Sequence, residues 1–91
     1  MYVDVFDWDE EDDPEGNVQH IAASGLSPDE VEEVIRNHTG PTDVSKQSGN
    51  RLIFGTTPTG QRIAVVFQIV PDPDLIIIAP VTAYPVPEYG G

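Results

Sequence analysis

Three apolar segments separated by turn sequences fill the second half of the chain, and they restrict its fold more than any other feature. The segments cover residues 51–54, 62–70 and 75–84. A Thr-Pro-Thr-Gly sequence at 57–60 separates the first two, and Pro-Asp-Pro-Asp at 71–74 separates the last two. Apolar runs bounded by such turns are typical of β-strands, and short connections favour antiparallel neighbours. The second half is therefore predicted to be a three-stranded antiparallel meander.

Pro80 lies inside the third of these segments. Proline has no backbone N–H to donate to a ladder, so within sheets it is restricted to edges, strand ends and bulges. We therefore expect one of these irregularities at Pro80.

Signals for two short helices precede the meander. Asp13 is the predicted N-cap of the first helix, with Pro14 at its first position, and Gly25 suits the left-handed residue that ends it. Ser27 and Glu30 have the spacing of a capping box that starts the second helix. Because short helices are unstable alone, both are expected to pack on the sheet.

The first eight residues are rich in strand-forming side chains, so residues 1–8 are predicted to be a strand that leads into an exposed acidic loop over 9–13. Residues 44–47 carry only a weak strand pattern. We predict a single α+β domain over residues 1–91, with the element order β-α-α-β-β-β. Two short helices would pack on one face of a four-stranded, mainly antiparallel sheet, and residues 88–91 would form a short tail.

The charge of the chain disfavours nucleic acid as a partner. Sixteen acidic residues face four basic ones, which gives a formal net charge of -12. Such a charge repels phosphate backbones at long range. The chain has no cysteine, and no apolar run approaches the roughly 18–20 residues of a membrane helix. We expect a cytoplasmic protein that uses neither a cofactor nor a metal.

Both faces of the strand at 62–70 are apolar. One face carries Ile63, Val65, Phe67 and Ile69, and the other carries Ala64, Val66 and Val70. Two helices can cover only one face of the sheet, so the other face is predicted to stay exposed and to contact a protein partner or a second copy of the chain. The alternative is an ordinary small core in which loops and tails cover both faces.

A series of motifs is spread over residues 6–84. Its first part comprises Phe6-Asp7-Trp8-Asp9, Asn17, His20, Gly25-Leu26-Ser27, Glu30 and Val34. Its second part comprises Arg51-Leu52-Ile53-Phe54-Gly55, Gly60-Gln61-Arg62, Val65-Val66-Phe67 and Ile77-Ile78-Ala79. Together these motifs resemble the BrnT-like toxins of bacterial toxin–antitoxin modules. The resemblance implies a RelE-like microbial ribonuclease fold, cleavage of RNA, and neutralisation by a ribbon-helix-helix antitoxin.

The chain departs from the family pattern where that pattern is basic. In the family the last strand runs into an Ala-Arg-Arg-Ala-Thr-like stretch and a basic segment, whereas residues 79–88 contain no cation. A Lys-His-Gly-like run on the first helix corresponds to residues 20–25, which lack the lysine. Metal-independent RNA cleavage needs a base, an acid and a cation that stabilises the transition state. The missing cations therefore predict weak or lost ribonuclease activity.

Four residues remain as candidates for this chemistry. His20 has the right type for acid–base work, and Tyr84 could donate a hydroxyl proton. Arg51 and Arg62 match arginine positions of the family and flank one hairpin, so they could converge as an anion-binding pair. Each candidate has a structural alternative, as a hydrogen-bonded histidine, a salt-bridged arginine or a packing tyrosine. His38 is expected only to complement a helix C-terminus.

Three functional hypotheses follow. The leading one is a BrnT/RelE-like domain of a toxin–antitoxin-type system that acts through contacts with an antitoxin-like protein. The second is an active metal-independent ribonuclease. The third is an acidic protein that mimics nucleic acid and binds a basic partner through residues 4–15 and 29–33. The acidic loop lacks the spacing of an EF-hand, so we interpret it as a solvated loop rather than a calcium site.

Overall fold

The computed structural model describes residues 1–45 and 48–87, in which two helices accompany a five-stranded mixed sheet. The predicted tail at 88–91 and part of the weak pattern at 44–47 lie outside the described residues. The strands and helices are β1 (Val5–Phe6), α1 (Asn17–Ala22), α2 (Pro28–Asn37), β2 (Asp43–Val44), β3 (Arg51–Thr56), β4 (Arg62–Val70) and β5 (Ile77–Pro85). No helix within the described ranges is long and apolar enough to cross a membrane.

The strand order across the sheet is β1-β5-β4-β3-β2. β1 pairs with β5 in parallel, and the other neighbouring strands are antiparallel. The predicted α+β class, the two helices and the antiparallel meander are therefore confirmed. The predicted number of four strands is wrong, because the two-residue β2 adds a fifth strand beside β3.

The first strand is shorter than the predicted residues 1–8, since β1 covers only Val5–Phe6. The chain leaves the ladder just after this strand for a specific reason. The Asp7 N–H still bonds the Ile78 carbonyl at 2.8 Å, but the next ladder bond would come from the N–H of residue 80, and Pro80 has none. The Asp7 carbonyl accepts a hydrogen bond from Nδ2 of Asn17 at 3.0 Å instead. The parallel contact with β5 is consequently limited to a short edge.

Helix α1 begins later than predicted. Its N-cap is Gly16 rather than Asp13, and no side chain caps it. The Asp13 carbonyl instead accepts the Gly16 N–H at 3.0 Å, which makes a separate turn before the helix. Gly25 ends the helical segment as predicted, with a φ of 77°, and the Leu26 N–H bonds back to the carbonyl of Ile21 at 3.0 Å. These contacts form the expected glycine-based C-terminal motif.

Helix α2 has the predicted capping box. Oγ of Ser27 accepts the Glu30 N–H at 3.3 Å, and the Glu30 carboxylate accepts the Ser27 N–H at 3.1 Å. The apolar stripe of this helix is buried and comprises Val31, Val34 and Ile35. The helix lies so close to β3 that a Cβ atom at Gly55 would stand 2.6 Å from Cγ1 of Val34. Gly55 is therefore a packing requirement of the helix–sheet contact.

The core lies between the two helices and one face of the sheet. Helix α1 packs on β5, and α2 packs on β3. The buried residues that the sheet contributes to this core are Ile53, Ile63, Val65, Phe67, Ile78 and Ala83. The predicted packing of both helices on a single face is consistent with this distribution.

A bulge in β5 accommodates Pro80. Phe67 pairs with Pro80 and Val66 pairs with Thr82, which leaves Val81 without a partner on β4. β5 has neighbouring strands on both sides, so Pro80 is not at an edge of the sheet. The bulge accommodates a residue that has no N–H to donate. This is one of the irregularities expected from the sequence.

Candidate functional site: the open face of the sheet

The face of the sheet opposite the core is covered by neither helix, and we call it the open face. Its position follows from the register, because directly paired residues project to the same side. Phe54, Ala64 and Tyr84 form one row across β3, β4 and β5. The remaining apolar side chains that the strand register places on the open face are Val5, Leu52, Val66, Val70, Ile77 and Ala79.

Three large side chains of the open face stay in solvent. The exposed fractions are 41% for Val5, 43% for Phe54 and 42% for Tyr84. Ala64 is fully buried although neither helix covers it, since it lies between Phe54 and Tyr84 in the same row. The predicted exposed apolar face is therefore present, and aromatic side chains stand on both sides of its centre.

Arg62 is the cation of the open face within the described residues. Its guanidinium carbon lies 5.9 Å from the centre of the Phe54 ring, at the distance of a cation–π contact. Together with Val86 and Pro87 these two side chains line a groove of ≈ 370 Å³ at one end of the face. No carboxylate of the described residues forms an ion pair with Arg62.

Arg51 and Arg62 do not converge, so that prediction is wrong. Arg51 pairs with the core residue Phe67, whereas Arg62 pairs with Thr56. The two arginines therefore project to opposite faces of the sheet, and about 17 Å of strand separates their positions along β3. The Arg51 side chain is half-buried and donates to Oγ1 of Thr42 at 3.0 Å. Its interactions are those of a structural residue.

His20 is also separated from the open face. It is exposed on α1, and this helix packs on β5 from the core side of the sheet. Of the four predicted catalytic candidates, only Arg62 and Tyr84 share a face. Their positions on neighbouring strands are offset by two residues, because Tyr84 pairs with Ala64. His38 lies at the C-cap of α2, as expected, and its Nε2 is 3.3 Å from the Pro41 carbonyl.

Arg36 is engaged within the molecule on the outside of α2. Its guanidinium forms an ion pair with Glu32 at 3.4 Å and lies 4.9 Å from the centre of the Phe6 ring. The other carboxylate oxygen of Glu32 accepts the indole N–H of Trp8 at 2.8 Å. This network connects the end of β1 to α2 and uses the cation internally.

Asn17 organises the start of the acidic loop. Its Nδ2 donates to the Asp7 carbonyl at 3.0 Å and to the Pro80 carbonyl at 2.8 Å, and its Oδ1 accepts the Asp9 N–H at 2.8 Å. The Asp9 carboxylate in turn accepts the Asn17 N–H at 2.9 Å. Within residues 1–45 and 48–87, no group of three or more histidine or acidic side chains is placed to hold a metal ion.

Asp4 fixes the entry of the chain into the sheet. Its carboxylate accepts the backbone N–H of Ile76 at 2.7 Å and the hydroxyl of Tyr2 at 2.6 Å. These bonds lower the pKa of Asp4 below its ordinary value, with the backbone bond as the larger cause. The same contact raises the pKa of Tyr2, because its hydroxyl donates to a carboxylate.

Reasoning from the sequence missed two of the exposed residues of the open face, Val5 and Phe54. Phe54 lies between Ile53 and Gly55 on β3, and both neighbours project toward the core. Strand alternation alone would have placed Phe54 outward, once Ile53 was assigned to the core. Val5 had no such signal, because its face depends on the parallel pairing of β1 with Ile77.

No protein-family model, curated protein or solved structure matches the chain. The resemblance to BrnT-like toxins therefore rests on the motifs in the sequence alone.

Proposed function

We propose that this chain is a protein-binding domain of a bacterial toxin–antitoxin-type system, built on a BrnT/RelE-like scaffold whose ribonuclease activity is weak or lost. Its binding surface is the open face, and its partner takes the place that an antitoxin takes in such a system.

The observation that carries the proposal is the exposed apolar row on the open face. Phe54 and Tyr84 flank Ala64 with more than two fifths of each aromatic side chain in solvent. Aromatic side chains are enriched in the central parts of protein interfaces, and contiguous exposed apolar patches commonly mark contact surfaces. This placement supports a protein partner better than a small polar substrate.

The dispersal of the candidate catalytic residues supports the loss of ribonuclease activity. RNA cleavage without a metal requires a base, an acid and a cation around one phosphate. The open face offers Arg62 and Tyr84, but Arg51 projects to the other face and His20 lies on the other layer. The net charge of -12 also opposes the approach of RNA.

RNA cleavage by the purified protein is the first test. We expect a single-stranded RNA to remain intact, and expression in a bacterial host not to arrest growth. The competing hypothesis of an active ribonuclease predicts cleavage that is lost in both Arg62→Ala and Tyr84→Phe, whose residues share the open face. It predicts no loss in Arg36→Ala, because Arg36 is engaged on α2. That pattern would contradict the proposal.

Binding of the protein encoded by the adjacent gene is the second test. We expect the double variant Val5→Ser/Phe54→Ser to lose co-purification of that protein. The matched control is Val44→Ser/Ile69→Ser, whose side chains are 52% and 50% exposed but project to the core side of the sheet. Equal losses in the two double variants would show that the open face is not the binding surface.

A further inference from the structure

The charges around the open face indicate what kind of partner it takes. We infer that the open face binds a cationic amphipathic helix of a different protein. This inference rests on the proposed function and adds the charge, the shape and the chemical class of the partner.

A second copy of the chain does not fit this surface. Two copies would bring together two net charges of -12, and strong like charge keeps proteins apart in solution. The same charge attracts a cationic chain and accelerates its association. The sign of the charge therefore selects a different, basic molecule as the occupant.

Acidic side chains border the open face at both edges of the sheet. Asp43 of β2 pairs with Leu52, which places it beside the face on one edge. Asp7 continues the β1 ladder through a bond from its N–H to the Ile78 carbonyl at 2.8 Å, so strand alternation places its side chain on the same side as Val5. Both carboxylates are exposed. The apolar centre thus lies between two negative borders.

The dimensions of the apolar centre fit one helix. It extends over β3, β4 and β5, whose spacing of about 4.8 Å gives a width of roughly 14 Å. β4 and β5 each have 9 residues, which corresponds to a length of about 30 Å. An α-helix with its side chains is about 10–12 Å wide, and 18 residues are about 27 Å long.

A helix in this position would contact both parts of the surface. An apolar stripe of the helix would cover Phe54, Val66 and Tyr84, and lysine or arginine residues beside the stripe would meet Asp7 and Asp43. Recognition of an amphipathic helix by an apolar surface is a common mode, and charges at its rim govern specificity and the rate of association.

The test uses synthetic peptides of about 18 residues as probes of the ¹⁵N-labelled protein by NMR. The first peptide is a Leu/Lys helix with leucines at helical spacing, the second has the same composition in scrambled order, and the third is its Leu/Glu counterpart. We expect only the first to bind, with shifts centred on Phe54, Val66 and Tyr84. Its affinity should fall at least tenfold between 50 mM and 500 mM salt.

Two pairs of variants measure the apolar and the charged contributions. Phe54→Ser should weaken binding of the Leu/Lys peptide about tenfold, whereas Ile69→Ser, on the other side of the sheet, should leave it unchanged. Asp7→Asn/Asp43→Asn should weaken it several-fold, whereas Asp29→Asn/Glu33→Gln on α2 should have a smaller effect. Each control variant changes an exposed residue of similar type.

The outcomes separate this inference from the proposed function. Equal binding of the Leu/Glu peptide at the open face would overturn the inferred charge of the partner and leave a protein-binding face in place. Shifts centred on residues 9–13 and 29–33 would overturn the inferred site and support mimicry of nucleic acid. Failure of the wild-type protein to co-purify the protein encoded by the adjacent gene would instead reject the proposed function itself.

Discussion

The buried amide of Asn17 connects three parts of the fold, and its removal should destabilise the protein more than any other single polar substitution near the acidic loop. The side chain is only 8% exposed. It donates to the Asp7 carbonyl, which follows β1, and to the Pro80 carbonyl in the bulge of β5. It also accepts the N–H of Asp9. Asn17→Ala removes all three hydrogen bonds and leaves their partners without the amide.

The expected loss follows from these contacts. A hydrogen bond contributes a net free energy of about 1 kcal/mol, and a buried group left without a partner costs about 1–3 kcal/mol. The hydrogen bond to the Pro80 carbonyl is buried, whereas the Asp9 N–H is nearer the surface and can bind water. We therefore expect the free energy of unfolding to fall by about 2–3 kcal/mol. Against the roughly 5–15 kcal/mol of a typical domain, this is a large fraction.

Urea unfolding followed by the fluorescence of Trp8, the single tryptophan, measures this loss. Gln19→Ala is the control, because Gln19 is exposed on the same helix and loses a single solvent-exposed hydrogen bond, to the Glu11 carbonyl. It should change stability by less than about 0.5 kcal/mol. Asn17→Asp should be at least as damaging as Asn17→Ala at pH 7, since its carboxylate would face two carbonyl oxygens. A loss below about 1 kcal/mol in Asn17→Ala would refute the assigned role.

Two further changes test the helix–sheet contact and the entry of the chain into the sheet. Gly55→Ala should lower the free energy of unfolding by about 1–3 kcal/mol in thermal or urea unfolding, because the new Cβ would stand 2.6 Å from Cγ1 of Val34. The double variant Gly55→Ala/Val34→Ala should lose less free energy of unfolding than the sum of the two single variants. Strict additivity of the two losses would count against the clash. Asp4→Asn tests the bond to Ile76. Since the pKa of Asp4 is lowered in the folded protein, the stability that its carboxylate adds is present above the ordinary value of 3.8 and is lost as the pH falls through the folded value. The difference in urea midpoint between wild type and Asp4→Asn should therefore shrink from pH 6 to pH 3, and a difference that grows would contradict this assignment.

The local parts of the fold could be predicted because their signals are contained in a few neighbouring residues. The capping box joins Ser27 to Glu30 and needs no distant partner. Gly25 has a positive φ at the end of the first helical segment, where a residue with a Cβ would be strained. The meander was predicted correctly because short turns bring sequential apolar segments into contact.

The parts of the fold that were predicted wrongly depend on distant contacts. The pairing of β1 is limited at one end by the Ile76 N–H, which bonds the Asp4 side chain, and at the other by Pro80, which has no N–H for the Asp7 carbonyl. Asn17 supplies the missing donor to that carbonyl. The start of α1 is delayed because Asp13 makes a separate turn with Gly16. Propensity favours an extended segment before β1 and an N-cap at Asp13, but it contains no information on these partners.

Arg51 and Arg62 do not converge for a different reason, which is the register of the hairpin. Two residues on paired strands share a face when they are an even number of positions from direct pairing. Arg62 pairs with Thr56, and Arg51 is five positions away from Thr56. A β-turn at 57–60 alone would pair Gly55 with Arg62 and place both arginines on one face. The observed loop is one residue longer, because the Thr57 N–H bonds the Gln61 carbonyl at 2.8 Å, and this shift of one residue turns Arg62 to the other face.

Two of the arginines are bonded to other side chains of the molecule away from the open face, so this face carries little positive charge. Arg36 is paired with Glu32, and Arg51 is bonded to Thr42 on the core side of the sheet. Arg62 is the basic residue that remains on the open face, and its guanidinium lies over the Phe54 ring. An RNA strand approaching this face would meet one cation between two acidic borders, whereas a basic helix would meet an apolar surface with carboxylates at its rim. The distribution of charge at the open face therefore opposes RNA and is consistent with the inferred basic partner.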